Sequence, residues 1–396
     1  MKIGIYGGTF DPIHVGHIKC AEEIKQEFNL DKILFVPNGN PMHKIFSRVV
    51  PGALRLEMIR LALEGTDGLE ASDIEVTRNG YSYTVDTLSE LSKTGDELYY
   101  IVGTDVLDTM ENWKDFDKVV GLTKFIAVKR PGLSDEAYAA AKARVAKLGA
   151  VVSDSASENL IEASSTYIRG LAAKGDKKIY DFVPKKVADF ILKNDFYDET
   201  KPVPEDQIVI HLKEILSDEK FRHSLGVSKE AERLAKIYGA DVYRCHLAGL
   251  LHDCAKNVTP DQLTKWLGYS LEDFGDGTAY NGINRRVVHG PVGKLVAERR
   301  FGIRDNVILD AIANHVTGAP EMSLESCIVF ISDYTEENRE GEVFDDIRSV
   351  LEKDGLYAAI VRACDLTTAL VAKRGEQMAV QMVYTRNWAV AAKQRG

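Results

Sequence analysis

The chain has 396 residues, of which 45% are hydrophobic and 28% are charged, and its formal net charge is -10. This length accommodates two domains that each bury a core, and the composition excludes an intrinsically disordered protein. The acidic balance excludes a general nucleic-acid-binding protein, and no apolar run reaches the length of about 18 residues that a membrane span needs.

The first segment, residues 1–17, predicts a strand, a glycine turn and the start of a helix. Alternating isoleucines predict a short buried strand, and Gly7 and Gly8 predict a turn that a ligand can approach closely. His14 and His17 are three positions apart, so both imidazoles are expected on one face of the first helical turn. Backbone N–H groups and the helix dipole favour anions at such a helix start. The segment therefore predicts a site for polyphosphate.

Apolar runs at residues 32–37, 98–103 and 124–128 are expected to form further strands, with helical patterns between them. Strands that alternate with helices predict an α/β fold with a doubly wound parallel sheet, in which ligands bind at the carboxyl ends of the strands. Lys44 lies in the polar loop after the second of these strands. On its own this loop would be interpreted as a solvated turn, but beside the first segment Lys44 becomes a candidate cation for phosphate.

Three later segments place polar or aromatic side chains near predicted helix starts or strand ends. Thr84 is a predicted N-cap, and a helix N-terminus there would favour a substrate carboxylate. Trp113 follows a strand end and is suited to stacking on a pyridine ring. Residues 164–169 contain three successive hydroxyl side chains and, about one turn later, Arg169. These groups are suitable donors for a triphosphate, although hydroxyls at a helix start also act as caps.

The segments together resemble the H-x-G-H nucleotidyltransferases, and nicotinate-mononucleotide adenylyltransferases in particular. The motifs that carry the resemblance are Gly-Gly-Thr-Phe-Asp-Pro-x-His-x-Gly-His at 7–17, Pro-x-His-Lys at 41–44, Tyr-Thr-x-Asp-Thr at 83–87 and Ser-Ser-Thr-x-x-Arg at 164–169. The resemblance implies a Rossmann-like domain of NAD biosynthesis. Such a domain transfers the adenylyl group of ATP, which is bound with Mg²⁺, to nicotinate mononucleotide and releases pyrophosphate.

The motifs and the resemblance assign a role to each candidate residue. The predicted catalytic residues are His14, His17, Lys44 and Arg169. The predicted ATP-binding residues are Gly7, Gly8, Thr9, Phe10, His17, Gly103, Asp105, Ser164, Ser165, Thr166 and Arg169. The predicted nicotinate mononucleotide-binding residues are Thr84, Asp86, Thr87, Trp113 and Arg130.

A charged, proline-bearing segment at residues 198–206 predicts a linker between a first domain, 1–197, and a second domain, 207–396. Helical periodicity dominates beyond the linker, so the second domain is expected to be all-α. Within it, His252 and Asp253 end an apolar stretch, where charge is costly to bury unless it is paired or bound to metal.

The second domain also contains an ordered series of histidines and aspartates that resembles the HD-domain metallohydrolases. By this resemblance the metal ligands are His223, His252, Asp253, His289, His315 and Asp333. The two histidines that follow His-Asp favour two metal ions over one. His211 and His246 are interpreted as packing or solvated residues.

Four segments narrow the resemblance to the bacterial symmetrical diadenosine tetraphosphate hydrolases: Phe221 to Ser224, Gly249 to Lys256, His289 to Gly293 and Ile331 to Arg339. The resemblance implies a di-iron centre, with Lys256 as a further catalytic residue that holds, together with Arg339, the phosphate chain of a dinucleoside polyphosphate. Imidazole and carboxylate ligands also suit manganese and other divalent metals, so iron is implied by the resemblance alone.

The preferred interpretation is therefore a bifunctional enzyme that makes nicotinate adenine dinucleotide and hydrolyses diadenosine tetraphosphate to ADP. One alternative is another H-x-G-H transferase, for phosphopantetheine or cytidylyl transfer, and another is a helical domain that senses nucleotides without catalysis. The five cysteines are scattered and no signal peptide is recognised, which predicts reduced thiols in a cytoplasmic protein without nucleic-acid or membrane partners. A homo-oligomer is left open.

Overall fold

The computed structural model describes residues 1–41, 44, 46–78, 80, 82–129, 134–158, 164–274 and 285–395. The chain divides into two compact units. The first comprises Met1–Pro41 and Val49–Thr200, and the second comprises Met42–Arg48 and Lys201–Gly396.

A parallel sheet of six strands forms the centre of the described part of the first unit. Its strands are β1 (Lys2–Gly8), β2 (Lys32–Pro37), β3 (Leu69–Ala71), β4 (Glu97–Gly103), β5 (Lys124–Lys129) and β6 (Val152–Glu158). The strand order is β3-β2-β1-β4-β5-β6, and every pairing is parallel. The predicted doubly wound sheet is confirmed. Because β1 lies between β2 and β4, the chain reverses its direction of winding at the carboxyl ends of β1 and β4.

Helices cover both faces of this sheet. They are α1 (Val15–Glu27), α2 (Gly52–Leu63), α3 (Thr84–Leu91), α4 (Thr104–Leu107), α5 (Phe116–Leu122), α6 (Asp135–Lys147), α7 (Ser165–Ala173) and α8 (Lys185–Lys193), with 3-10 turns at Ser92–Thr94, Met110–Asn112 and Lys177–Asp181. Helix α7 has Ser164 as its N-cap, whose side chain accepts a hydrogen bond from the Tyr167 N–H. The capping interpretation of that hydroxyl is therefore correct.

Successive side chains along each strand point to opposite faces of the sheet, so the sheet separates two hydrophobic cores. Ile5 of β1 and Leu34 of β2 pack into one core together with side chains of α3, α5 and α6. Tyr6 and Phe35, the next residues on the same strands, pack into the other core with α1, α2, α7 and α8. A strand that is buried on both faces needs apolar residues at successive positions, which explains the continuous apolar runs in the sequence.

All regular elements in the described residues of the second unit from 205 onwards are helices, as predicted. Its helices are α9 (Glu205–Ile215), α10 (Asp218–Tyr238), α11 (Val242–Leu251), α12 (Pro260–Leu267), α13 (Arg285–Phe301), α14 (Asn306–Asn314), α15 (Leu324–Thr335), α16 (Glu342–Asp354), α17 (Leu356–Lys373) and α18 (Val380–Arg395), with a 3-10 turn at Leu271–Phe274. Among the described helices, none combines the length and the hydropathy that crossing a membrane requires. All five cysteines are buried, and none forms a disulfide.

Candidate active sites

The loop after β1 is held in an uncommon backbone conformation. Phe10 has a φ of 48°, in the left-handed region that costs a non-glycine residue about 1–3 kcal/mol. Its ring is buried and packs against the rings of Tyr6 and Phe35, with centroid separations of 5.5 and 5.6 Å. Gly7 and Gly8 end β1 at the reversal point of the sheet. The loop is therefore fixed by core packing where an α/β sheet binds ligands.

His14 and His17 form a stacked pair at the N-terminus of α1. Their ring centroids are 3.6 Å apart and the ring planes differ by 24°. The main-chain N–H of His14 donates to Nδ1 of His17 over 3.3 Å. A neutral His17 then carries its proton on Nε2, where it can donate to an anion.

Helix α7 contacts the loop after β1, although the two segments are about 150 positions apart in sequence. The Ser165 hydroxyl donates to the Pro12 carbonyl over 3.3 Å. Arg169 donates from Nη1 to the Asp11 carbonyl over 2.9 Å and from Nη2 to the Thr166 hydroxyl over 3.0 Å. The structure thus brings the second predicted phosphate motif against the first.

The residues predicted to bind the mononucleotide lie on α3 and beyond β4. The expected cap at Thr84 was one residue too late, because Tyr83 is the N-cap of α3 and Thr84 is its first helical residue. The Thr84 side chain instead hydrogen-bonds the hydroxyl of Tyr100, a half-buried tyrosine whose pKa is raised by desolvation of its hydroxyl. The Trp113 ring is half-buried and meets the Tyr100 ring edge-on, with centroids 5.7 Å apart.

The hydroxyl of Thr87 is hydrogen-bonded to other side chains inside the protein. It is only 1% exposed, and its hydroxyl donates to Glu75 Oε1 over 2.8 Å and accepts from Arg78 over 3.1 Å. Asp86, one position earlier, is exposed. A role of Thr87 in a substrate pocket would therefore act through Glu75 and Arg78.

Four further predicted residues of this half belong to segments other than the loop after β1. Gly103 ends β4, and Asp105 is exposed in the short helix α4. Lys44 is partly buried and belongs to the segment 42–48 that groups with the second unit. Arg130 lies outside the described residues. The roles of these four residues stay predictions.

Sequence reasoning missed Arg55 of α2, whose side chain has no exposed surface. Its guanidinium donates to four main-chain carbonyls: Nε to Val50 over 2.7 Å, Nη1 to Thr9 over 2.6 Å, and Nη2 to Asn38 over 2.6 Å and to Gly39 over 3.0 Å. The acceptors lie in the loops after β1 and β2 and just before α2. No motif in the sequence distinguishes this arginine from a surface residue.

Five helices of the second unit contribute the six predicted metal ligands. His223 lies on α10, His289 on α13 and Asp333 on α15, whereas His252, Asp253 and His315 follow the ends of α11 and α14. Their donor atoms form three overlapping groups in which all atoms lie within 4.8 Å of one another: His223, His252 and Asp253; His252, His315 and Asp333; and Asp253, His289 and His315.

Two of these imidazoles are oriented in the same way. Nδ1 of His252 hydrogen-bonds the Gly249 carbonyl and Nδ1 of His315 hydrogen-bonds the Ile312 carbonyl, each over 2.7 Å and each three residues back along the chain. A proton on Nδ1 leaves the Nε2 lone pair for a metal ion, which is the usual arrangement at metal sites.

Glu336 orients His223 and was not assigned a role from the sequence. It is 1% exposed, and its Oε1 lies 3.0 Å from Nδ1 of His223. Its Oε2 accepts from the N–H and the side-chain amide of Asn338, both over 2.8 Å. A Cβ at Gly226 would lie 2.2 Å from that oxygen, so a side chain at position 226 would displace the carboxylate from this face of α10.

Asp253 has nitrogen atoms of three other side chains close to one of its carboxylate oxygens. Its Oδ1 lies 3.1 Å from Nε2 of His289, 3.5 Å from Nε2 of His315 and 3.1 Å from Nζ of Lys256. Burial opposes its ionisation, but the surrounding histidines and Lys256 hold the pKa of Asp253 well below its usual range. The carboxylate is therefore ionised at neutral pH.

Asp333 is likewise held in its charged form. Its Oδ1 lies 2.9 Å from Nε2 of His223 and 2.5 Å from Nη2 of Arg339. Burial opposes ionisation here too, but the hydrogen bond from His223 and the charge of Arg339 keep the pKa of Asp333 well below its usual range.

The donor set fits divalent metal ions. Nε2 of His252 is fully buried and has no hydrogen-bond partner among the described residues. Burial lowers the pKa of His252 to about 3, so the imidazole is neutral and its lone pair is available. An unsatisfied buried polar atom costs about 1–3 kcal/mol, a cost that ligation would remove. Four imidazoles with two carboxylates suit iron, manganese and similar divalent ions.

Comparison with known families divides the chain in the same two parts. The Cytidylyltransferase-like family matches residues 5–171, and the HD domain family matches residues 221–338.

Individual relatives match the N-terminal half. A probable nicotinate-nucleotide adenylyltransferase of Desulfatibacillum aliphaticivorans is 44% identical over 137 residues, covering 35% of this chain and 63% of the relative. The protein of that name from Clostridium botulinum (strain Alaska E43 / Type E3) is 35% identical over 198 residues, covering 50% of this chain and 98% of the relative. The chain thus spans less than two thirds of the first relative and nearly all of the second.

Solved structures match each half. A predicted HD superfamily hydrolase involved in NAD metabolism from Clostridium acetobutylicum is 30% identical and covers 48% of this chain and 100% of its own, with a TM-score of 0.42. Nicotinic acid mononucleotide adenylyltransferase of Plasmodium falciparum, complexed with NaAD, is 21% identical and covers 50% of this chain and 97% of its own, with a TM-score of 0.41.

Proposed function

The chain belongs, through its N-terminal half, to the nicotinate-nucleotide adenylyltransferase family, and from this premise we propose that this half transfers the adenylyl group of ATP to nicotinate mononucleotide. The observation that carries the proposal is the stacked pair His14 and His17 at the N-terminus of α1, beside the loop after β1. Arg169 of α7 donates to that same loop. Cationic and N–H donors thus lie together at the carboxyl end of β1, where the winding direction of the chain reverses.

The reaction requires no nucleophile from the protein. An oxygen of the mononucleotide 5′-phosphate forms a bond to the α-phosphorus of ATP, and the bond from that phosphorus to the bridging oxygen breaks. Pyrophosphate leaves with the electron pair. His17 would donate from Nε2, and Arg169 would balance charge that develops on the phosphates, so positioning and electrostatic stabilisation supply the rate. Mg²⁺ bound with ATP would neutralise part of the triphosphate charge.

A product analysis tests this proposal. The full-length protein is incubated with ATP and Mg²⁺ and with nicotinate mononucleotide, nicotinamide mononucleotide or phosphopantetheine, and the products are separated by chromatography. We expect nicotinate adenine dinucleotide and an equal amount of pyrophosphate. Transfer to phosphopantetheine alone would assign the domain to another transferase, and no product from any acceptor would reject the proposal.

For the second unit we propose metal-dependent symmetrical hydrolysis of diadenosine tetraphosphate to two molecules of ADP. The proposal is supported by the HD match and by the convergence of six histidine and aspartate side chains from five helices. These residues would hold two divalent ions, which we propose are iron; bound ions supply an activated water and a charge for the phosphate oxygens. Lys256 and Arg339 carry positive charge beside Asp253 and Asp333, where each can bind a phosphate oxygen.

Metal analysis and product identification together test the second proposal. We expect about two transition-metal ions per chain and ADP as the only product from diadenosine tetraphosphate. A product mixture of ATP and AMP would contradict symmetrical cleavage. A metal-free protein that binds the dinucleotide without turnover would favour a sensor.

A further inference from the structure

Arg55 connects the two loops that follow the central strands of the sheet. One of its acceptors, the Thr9 carbonyl, lies in the loop after β1, and two others, those of Asn38 and Gly39, lie in the loop after β2. The fourth, the Val50 carbonyl, lies just before α2. A planar guanidinium donates in several fixed directions, whereas a lysine ammonium at the same place is a single point donor.

The loop after β2 is also confined from its other side. A Cβ at Gly39 would lie 2.3 Å from the main-chain carbonyl oxygen of Glu75. Gly39 is therefore held between Arg55, which binds its carbonyl, and the backbone at Glu75. Arg55 therefore links the Thr9 and Gly39 carbonyls through one guanidinium, beyond the point where the backbone hydrogen bond from the Asn38 N–H to the Gly8 carbonyl, over 2.9 Å, joins the two loops.

We infer that Arg55 is a positioning residue for adenylyl transfer. It fixes the loop that leads from Thr9 to the histidine pair against the loop after β2. The phosphate-binding donors on these loops thereby keep fixed positions relative to one another. This inference rests on the proposed adenylyltransferase activity. A displacement of about 1 Å at a site that works by positioning reduces the rate about 100-fold.

The test compares the same substitution at two buried arginines of the full-length protein. Arg55→Lys keeps the positive charge but cannot reproduce the four hydrogen bonds. Arg300→Lys is the matched control, because Arg300 is 1% exposed, lies in the second unit and donates from Nε to His211 over 2.8 Å. We expect Arg55→Lys to lose about 100-fold in kcat per folded molecule, with little change in the KM for nicotinate mononucleotide. Arg300→Lys should lower the melting temperature without changing transfer kinetics.

The outcomes separate the inference from the proposed activity. If the unsubstituted protein makes no dinucleotide, the proposed activity fails first. If it is active and Arg55→Lys has unchanged kcat and KM per folded molecule, the inference is overturned, and Arg55 only stabilises the fold. Should Arg55→Lys not fold, Gly39→Ala takes its place, since a Cβ there would lie 2.3 Å from the Glu75 carbonyl oxygen and the backbone at this contact must shift. A folded Gly39→Ala variant with unchanged kcat would overturn the inference equally.

Discussion

His17 is held by contacts on three sides, which restrict its ring to one orientation. Its centroid lies 5.1 Å from that of Phe10 and 6.0 Å from that of Tyr6, in addition to the stacked ring of His14. Its Nδ1 is occupied by the main-chain N–H of His14. A ring fixed in this way offers Nε2 as a donor without reorganisation during the reaction, which is the condition for electrostatic catalysis.

Replacing His17 should therefore reduce the rate of transfer more than it reduces stability. We expect His17→Asn to lower kcat about 100- to 1,000-fold, the usual cost of removing one donor to developing charge, as measured by pyrophosphate release. The control is His246→Asn in the second unit, because His246 is paired with Glu205 over 2.9 Å near the surface. An unchanged kcat in His17→Asn would show that the pair has only a structural role.

The ionisation of Glu75 predicts that the thermal stability of the protein depends on pH. Burial raises the pKa of Glu75, so the folded protein binds this proton more tightly than the unfolded chain does. The resulting stabilisation is complete below the ordinary pKa of glutamate and is lost as the pH rises through the raised value. Glu75→Gln mimics the protonated side chain. From about pH 4 to about pH 8, we expect the melting temperature of the native protein to fall relative to that of the variant.

An exposed glutamate provides the control for this experiment. Glu22 lies on the exposed face of α1, so Glu22→Gln should show no comparable trend against the native protein. If the melting curves of the native protein and Glu75→Gln changed in parallel over the whole range, burial would not be setting the ionisation of Glu75.

At the scale of elements, the contact of α10 with the end of α15 determines how His223 is presented. Replacing Glu336 by alanine removes the carboxylate that orients His223, and a ligand-orienting group is typically worth about 10- to 100-fold in metal affinity. We expect Glu336→Ala to weaken Mn²⁺ binding by this factor, measured by calorimetry on the metal-free protein. Glu336→Gln, which can still accept a hydrogen bond, should recover part of the affinity.

The neighbouring Glu337 is the matched control. It is exposed and pairs with Lys229, which is also exposed, over 3.0 Å. Glu337→Ala should bind Mn²⁺ with unchanged affinity, since surface ion pairs contribute about 0–1 kcal/mol and do not reach the site. Equal losses in both variants would indicate general destabilisation of α15 instead of an effect on His223.

The elements, and most of the residues that the structure brings together at the candidate sites, could be selected from the sequence because they follow from local pattern. Strands buried on both faces need continuous apolar runs, and their carboxyl ends locate the ligand loops. The proposed metal ligands stand out since His252 and Asp253 follow an apolar helix, where unpaired charge would be costly. Thr84 was misjudged by one residue, the usual uncertainty of a helix boundary.

Arg55 and Glu336 were not predictable, because their roles depend on contacts between distant segments. Helix α2 carries two arginines, yet Arg55 is fully buried and Arg60 is exposed. Only the folded loops, whose carbonyls surround Arg55, distinguish the two. Glu336 follows Asp333 in a recognised segment, but its partner His223 is 113 positions away. Local periodicity contains no information about such pairs.

For the whole molecule, the donor atoms of the two units predict different responses to metal removal. The phosphate site of the first unit would use Mg²⁺ that arrives with ATP, whereas four of the six proposed ligands of the second unit are imidazoles. Mg²⁺ prefers oxygen ligands, so it should not replace the native ions of an imidazole-rich site. After chelation and return to a Mg²⁺ buffer, we expect adenylyl transfer to persist and hydrolysis of diadenosine tetraphosphate to be absent.

Two further measurements test whether the two activities differ in their metal requirement. Adding Mn²⁺ or Fe²⁺ to the chelated protein should restore hydrolysis, and Asp253→Asn should abolish it under every metal condition, because Asp253 lies within 3.5 Å of donor atoms of His289 and His315. Transfer should remain in that variant, since Asp253 belongs to the other unit. Recovery of hydrolysis with Mg²⁺ alone would mean that oxygen ligands, not the four imidazoles, hold the catalytic ions. Loss of transfer in Asp253→Asn would mean that the two activities depend on one another, because the substitution changes only the ligands of the second unit.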